Sequence, residues 1–311
     1  MAENTDTQTT TDERTLRRAK RQAMLDAGVS PYPSHFEPTA FSADLEVRYK
    51  DLPDGEFTDD VVTMAGRVRA IRNQGKIAFL SLQDRQGQIQ LFFRVNNLSE
   101  SDWELLKTVD LGDIIGVTGP VMRSRRGQLS VAPHSLVMLS KALRPLPEKF
   151  HGLSDKETRY RQRYADMIVN PDVLETFKKR SRMIAAVRRY MDGEGYYEVE
   201  TPILQYTLGG ANARPFITHH NALDMDFYLR IATELHLKRL IVGGMDRVYE
   251  IGRQFRNEGM DQTHNPEFTT LEAYRAYSDI EGMKELAEGI FKAACHEICD
   301  SEQIVYQGTQ V

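Results

Sequence analysis

Five short runs of strand-like alternation between residues 58 and 145 constrain the fold more tightly than any other feature of this chain. They read VVTMAGRVRAI, IAFLSLQD, QIQLFFRV, DIIGVTGPVM and LSVAPHSLVML, and the turn signals NQGK, DRQGQ, LGD and RRGQ part them. One helical pattern, SESDWELLKTVD, interrupts between the third run and the fourth. Successive side chains on a strand point to opposite faces, so each run can turn only one face inward.

Five strands with a single helix inserted fit an OB-fold β-barrel. Barrels of this kind hold strands of nucleic acid by stacking bases on aromatic rings in a basic groove. Phe79, Phe92 and Phe93 supply rings here, and Arg67, Arg69, Arg72 and Lys76 supply charge. Adjacent Phe92 and Phe93 cannot both point into the core, and Phe79 alternates with Leu80, so some ring is expected outside. Residues 61–145 carry 12 Lys and Arg against six Asp and Glu, leaving −11 for the rest of a chain whose net charge is −5. A basic segment in an acidic chain is compatible with a polyanion-binding surface and with a plain solvated face alike.

The remaining bulk properties are those of an ordinary globular, cytoplasmic chain. Its 311 residues allow two domains. No apolar run approaches the roughly 18 residues of a membrane span. The opening MAENTDTQTTTDERT has no apolar centre, so it reads as a disordered tail and not a secretory signal. A basic helix is expected from about residue 12 to 28, with Leu16, Ala19, Ala23 and Met24 on one side and Gly28 as its C-cap. It suits RNA phosphates and a plain surface position equally. Cys295 and Cys299 are expected to be reduced, structurally ordinary thiols.

After residue 145 the pattern changes. Residues 146–171 mix prolines with dense charge and read as a connector leading into a helix. From 172 the chain reads as α+β. A helix over VLETFKKRSRMIAAVRRYMDGEG has Phe177, Ile184, Val187 and Met191 as its apolar stripe, with Met183 and Tyr190 beside it. YYEVETPIL is extended, and Pro202 confines it to an edge or an interface. A helix over about 232–243 would bury Leu235, Leu237, Leu240 and Ile241; a long helix near 279–299 follows, and IVYQGTQV reads as a strand beginning without a partner.

The segments RVYEIGRQFRNE, GMDQTHNP and EFTTLEAYRAY form two extended runs joined by a polar loop, hence an antiparallel pair. Alternation puts Glu250, Gly252, Gln254, Arg256 and Glu258 on one face of the first strand, opposite Tyr249, Ile251 and Phe255. Phe268, Thr270, Glu272, Tyr274 and Ala276 share a face of the second. Together they make a surface of an arginine, several carboxylates, a ring and a phenol. Buried without a ligand, such charges would stay unpaired at a cost of several kcal/mol. A pocket for a charged substrate removes that cost, as would an Arg256–Glu272 pair across the strands.

These residues also carry a resemblance. GEGYYEVETPIL is similar to motif 1 of the class II aminoacyl-tRNA synthetases, and FRNEGMDQTHNPEFTTLEAY to their motif 2. RYRQRYADMIVNPD, GGANARPFITHHNALDMDFYLRIATELHLKRLIVGG and the preceding barrel resemble the lysine-specific members of that class. The likeness runs from about residue 12 to the end, with these motifs in order. It implies an antiparallel-sheet catalytic domain over 172–311, an OB-fold anticodon-binding domain over 58–145, a connector over 146–171, and a tail with a basic helix over 1–57.

The resemblance implies roles for residues. Arg256 would contact the ATP α-phosphate and the lysine carboxylate, Phe268 would stack on adenine, Glu258 would accept from the adenine amino group, and His264 would reach the outer phosphates. Lysine would be held by Gly210, Glu234, Arg256, Glu272 and Tyr274, with the acidic residues compensating the ε-ammonium as it sheds water. Arg72, Phe79 and Gln90 would meet the anticodon bases. The implied reaction activates L-lysine with ATP and Mg2+ to lysyl-adenylate and transfers it to tRNA(Lys), with positioning and charge stabilisation in place of a side-chain nucleophile. Pro202 and its neighbours would lie at a homodimer interface, and His219 and His220 are expected to hydrogen-bond on a loop and hold no metal.

Two departures bear on this. Motif 3 is not found, and the implied magnesium ligands would lie beyond Val311, so the chain reads as a fragment that binds tRNA weakly, makes no adenylate alone and is prone to aggregate through an open sheet edge. Thr233 stands where the class usually has proline, with little effect expected. The alternatives are an aspartyl- or asparaginyl-type synthetase and a non-catalytic RNA-binding protein with a synthetase body.

Overall fold

The computed structural model describes residues 3–147, 153–261 and 263–310. They divide into two compact units, Met1–Asn170 and Pro171–Val311.

The first unit opens with α1 (Glu3–Asp26). Residues 3–11, expected as a disordered tail, are its first turns, since no glycine or proline interrupts Glu3–Asp26. Residues 1 and 2 lie outside the described residues. Val29 N donates to Met24 O at 2.8 Å and Gly28 N to Leu25 O at 3.0 Å, a Schellman closure that the φ of +74° at Gly28 permits. The inward face differs from the expected one. Met24 is buried, but its companion is Arg17, while Leu16 is 55% exposed. Arg17 donates to Leu111 O at 2.9 Å, Ala142 O at 3.2 Å and Glu13 at 2.8 Å, and Lys20 bonds Asp110. This side of α1 is docked by cations satisfied on the domain's own oxygens.

After α2 (Ser42–Arg48) come β1 (Phe57–Gln74), β2 (Ile77–Gln83), β3 (Gln88–Arg94), α3 (Glu100–Thr108), β4 (Ile114–Arg123), β5 (Leu129–Val131) and β6 (Ser135–Ser140). The pairings run β1–β2–β3–β5–β4 and return from β4 to β1, with β6 beside β4. The run expected as a fifth strand is two strands, because Pro133 denies the ladder a donor between Val131 and Ser135. Met64, Val68, Leu80, Leu82, Leu91, Phe93, Ile115, Val117 and Val131 fill the interior. Lys141, fully buried, joins Asp110 and Asp113, each at 2.6 Å, and seals the end of β6 against the turn before β4. The connector folds into α4 (Lys156–Arg161) and α5 (Arg163–Val169), stapled by buried Asp166 to Arg159 at 2.9 Å and Arg163 at 2.7 Å.

The second unit starts with α6 (Pro171–Gly193), closed by Tyr196 N on Met191 O at 3.0 Å with Gly195 at φ +78°. Then come β7 (Tyr197–Glu198), β8 (Leu204–Gln205), β9 (Ile217–His220), β10 (Met225–Leu229), α7 (Glu234–Val242), β11 (Arg247–Phe255), β12 (Glu267–Arg275), α8 (Ile280–Cys299) and the hairpin β13 (Val305–Tyr306)–β14 (Thr309–Gln310). β11 lies between antiparallel β12 and parallel β7, so the segment before Pro202 is at the edge. One face of that sheet, with Tyr249, Ile251, Leu271 and Ala273, packs on Val187 and Met191 of α6 and Leu286 of α8.

Three expectations fail here. Phe177 and Met183 of α6 are 41% and 37% exposed; the buried positions of the helix are Val173 near its start and Ala186, Val187 and Met191 in the half that meets the sheet. Leu235 of α7 is 37% exposed and leans on Gly209, leaving Leu237 as the residue fully buried. The strand expected to lack a partner turns back on itself at Gln307–Gly308, both at positive φ, and pairs Val305 with Gln310. Among the described residues no helix is long and apolar enough to cross a membrane.

Candidate functional site

The β11–β12 register sets Glu250 opposite Glu272, Gly252 opposite Thr270 and Gln254 opposite Phe268. These six residues share the face turned away from α6 and α8, which is the division that alternation dictates. Arg256 follows directly on β11. Its backbone N donates to Pro266 O at 2.8 Å, and its Nε donates to Ile231 O at 3.4 Å. So held, its guanidinium carbon lies 5.1 Å from the centre of the half-buried Phe268 ring. The pair forms an arginine-over-ring wall.

At the other end of the face stands Glu272. It accepts from Thr233 Oγ1 at 2.6 Å and from the Tyr274 hydroxyl at 2.9 Å, both neutral donors. Burial, then the hydrogen bond to Glu272 and the charges of Glu272 and Glu234, push the Tyr274 phenol well above its usual range, so it remains a donor. Glu234 begins α7 and pairs with Lys238, whose ammonium lies 5.8 Å from the Tyr274 ring centre. Gly210, at φ +85°, runs beside this corner: a Cβ there would stand 3.0 Å from the Glu234 Cβ. Thr233 was expected to matter little. It gives Glu272 a hydroxyl that proline lacks.

Sequence reasoning missed Arg230. It is 2% exposed and bonds Glu250 at 2.5 Å, Arg253 O at 2.8 Å and Thr201 O at 3.0 Å. Glu250 also accepts from the Thr201 hydroxyl at 2.7 Å. Gly252 makes room, for a Cβ there would stand 2.3 Å from Arg230 Nη2. The carboxylate of Glu250 is therefore satisfied internally. An Arg256–Glu272 pair does not form, since Glu272 turns to Thr233 and Tyr274. A charged residue inside the apolar run FYLRIA was the available signal. Arg230 also anchors the segment after β10, which serves both ends of the face. Phe255 N donates to Arg230 O at 3.0 Å, Ile231 O holds Arg256, and Thr233 holds Glu272.

Glu258 and His264 are exposed, on the loop after Arg256. His264 Nδ1 meets Asp261 Oδ2 at 2.7 Å, and Asp261 is held well below the usual carboxylate range by the Thr263 amide and by His264. His219 shares a hydrogen bond of 3.1 Å with Asp226, and Cys295 and Cys299 are free thiols.

On the barrel, Arg72, Phe79 and Gln90 line one concavity of about 350 Å3, with Ser81, Gln88 and Gln128. Phe79 and Phe92 stack at 5.0 Å and 22°. Phe93 is in the core; Phe92 is on the other face, covered by Met122 and Ala132, which leaves half-buried Phe79 as the ring open to a ligand.

Comparison with known proteins gives the same division. The tRNA synthetases class II (D, K and N) match residues 155–309, and the OB-fold nucleic acid binding domain matches residues 62–139. The Lysine–tRNA ligase of Streptococcus gordonii is 53% identical over 302 residues, covering 96% of this chain and 61% of that protein. Those of Streptococcus mutans and Enterococcus faecalis are 52% and 51% identical over the same coverage. The chain thus spans about 61% of the length of these curated relatives. With an OB-fold domain, a motif 2 strand pair and this similarity over nearly its whole length, the chain belongs to the class II tRNA synthetases of the D, K and N group.

Proposed function

We propose that the chain carries the anticodon-reading and lysine-activating parts of a lysine–tRNA ligase. Gly210, Glu234, Glu272 and Tyr274 receive L-lysine, with the carboxylates facing its ε- and α-ammonium groups. Arg256 bridges the lysine carboxylate and the ATP α-phosphate as a bidentate fork. Phe268 stacks on adenine, Glu258 takes its amino group, and His264 reaches toward the outer phosphates. The lysine carboxylate oxygen then forms a bond to the α-phosphorus as the bond to pyrophosphate breaks. These side chains orient the reactants and offset developing charge. The ribose hydroxyl of tRNA(Lys) takes the lysyl group and releases AMP. Mg2+, when bound, supplies charge neutralisation on the phosphates; among the described residues no cluster of three or more His, Cys, Asp or Glu side chains is arranged to hold it. Arg72, Phe79 and Gln90 read anticodon bases. The reading includes a cytoplasmic homodimer joined through the segment around Pro202.

One observation carries the choice of substrate. Glu272 is bonded by neutral donors, the Thr233 and Tyr274 hydroxyls and the Thr233 amide at 3.4 Å, so its negative charge is left for a cation that enters the site. Calorimetric titration with L-lysine, L-aspartate and L-asparagine, in the presence of a non-hydrolysable ATP analogue, tests it. Lysine is expected to bind and to lose that binding in Glu272→Gln. Binding of aspartate in preference to lysine overturns the reading.

A further inference from the structure

Arg67 and Arg69 of β1 were singled out as barrel cations, yet neither lines the concavity of Arg72, Phe79 and Gln90. Arg67 is satisfied by Gly112 O at 2.7 Å. Arg69 is not: its Nη1 is buried and has no hydrogen-bond partner. It occupies a break in the β1–β2 ladder, where Val68 pairs with Leu82 and Ala70 with Ser81, leaving Arg69 as the extra residue. A bulge of this kind re-aims one side chain out of the regular alternation.

The re-aimed side chain lines a separate pocket of about 210 Å3, on the flank of the barrel under α1. Arg17 lines it too, buried to 3% exposure, and among the described residues Glu13 is the carboxylate in its wall. That carboxylate is already bonded to Arg17 Nε and Nη2, at 3.1 and 2.8 Å. The rest of the wall is apolar, chiefly Leu111, Leu146 and Val169. Among the described residues the pocket therefore holds two guanidiniums against one carboxylate, and one buried donor lacks an acceptor. Burial, and then the like charge of Arg67, pull Arg69 below the usual guanidinium range. Leaving a charged donor unsatisfied in this way is unfavourable, and an oxyanion removes both the missing acceptor and the excess charge.

We infer that the pocket between α1 and β1 is an oxyanion site for a phosphate group, with Arg69 as its principal donor and Arg17 as its fixed second wall. The phosphate comes either from a free small phosphate or from an RNA backbone.

Thermal unfolding of the full chain in sodium chloride and in sodium phosphate or pyrophosphate, at matched ionic strength, tests the site. In chloride, Arg69→Met is expected to be at least as stable as wild type, because it removes the unsatisfied donor. In phosphate or pyrophosphate, wild type is expected to gain several degrees that Arg69→Met does not gain. A tRNA titration across salt concentrations distinguishes the source. A backbone phosphate makes Arg69→Met lower the slope of log affinity against log salt by about 1. A free phosphate leaves that slope unchanged while the thermal gain persists. Equal phosphate response of the two proteins together with an unchanged salt slope overturns the inference.

Discussion

Arg256, one residue past β11, and Phe268 on the adjoining β12 lie with the guanidinium carbon 5.1 Å from the ring centre, on the face of the sheet turned from α6 and α8. A flat ring beside a planar cation is a ready slot for a base whose phosphates meet the arginine. We expect Phe268→Ala to weaken ATP binding by about 1–3 kcal/mol, the worth of one base stacked on a ring. Phe268→Tyr should restore most of it. Arg256→Lys keeps the charge but loses the fork, and should weaken ATP more than an exposed Arg→Lys change such as Arg253→Lys. Calorimetric ATP titration measures all of these.

Thr233 donates its hydroxyl to Glu272 at 2.6 Å. Valine copies its shape and removes that donor. Thr233→Val is expected to lower stability by about 1.5–3 kcal/mol, the range for a hydrogen bond to a charged group, because Thr233 is buried and its hydroxyl meets a carboxylate. Urea unfolding measures the loss. Lysine affinity should change in the same variant, while ATP affinity should not.

The Arg230–Glu250 pair is buried on both sides, at 2% and 5% exposure. Removing one partner of such a pair leaves a charge without compensation and costs about 3–5 kcal/mol. Glu250→Leu is expected to lose that much in the second unit. The single tryptophan, Trp103, lies in α3 of the first unit. Its fluorescence transition should move far less than the circular-dichroism signal of the second unit.

The Tyr274 phenol lies above its usual value of 10.0 through burial and through the carboxylates of Glu272 and Glu234. A folded-state value raised above the unfolded one contributes stability that is complete below about pH 10 and is lost as pH rises through the folded value. The Tyr249 phenol is raised too, by burial and by Glu198 and Asp192, so spectrophotometric titration of tyrosinate should show a late component that shrinks in Tyr274→Phe. The alkaline loss of stability should be smaller in that variant.

What the sequence disclosed follows from the range of each interaction. Strand alternation is local, so the shared face of Gln254, Phe268 and Glu272 could be read before any coordinates, as could the Gly28 and Gly195 helix ends. Arg230 could not. Its partners Thr201 and Glu250 are 29 and 20 residues away, and only the fold brings them together. Helix periodicity finds a stripe on α6 but does not say how much of it is covered, so Phe177 was misplaced while Met191 was not. On α1 the inward side is set by Asp110 and two carbonyls far along the chain, which overrode the apolar pattern of Leu16 and Ala19. Thr233 could be seen as a departure, but its hydroxyl gained meaning only once Glu272 lay beside it.

The central claim is that an acidic amino-acid cavity adjoins a nucleotide cradle on one face of the β11–β12 pair. The most direct measurement is intermolecular NOE spectroscopy on the chain with L-lysine and a non-hydrolysable ATP analogue bound together. Adenine protons should contact the Phe268 ring while the lysine ε-methylene contacts the Tyr274 ring in the same complex. Adenine contacts that avoid Phe268, or lysine bound away from Tyr274, would contradict it.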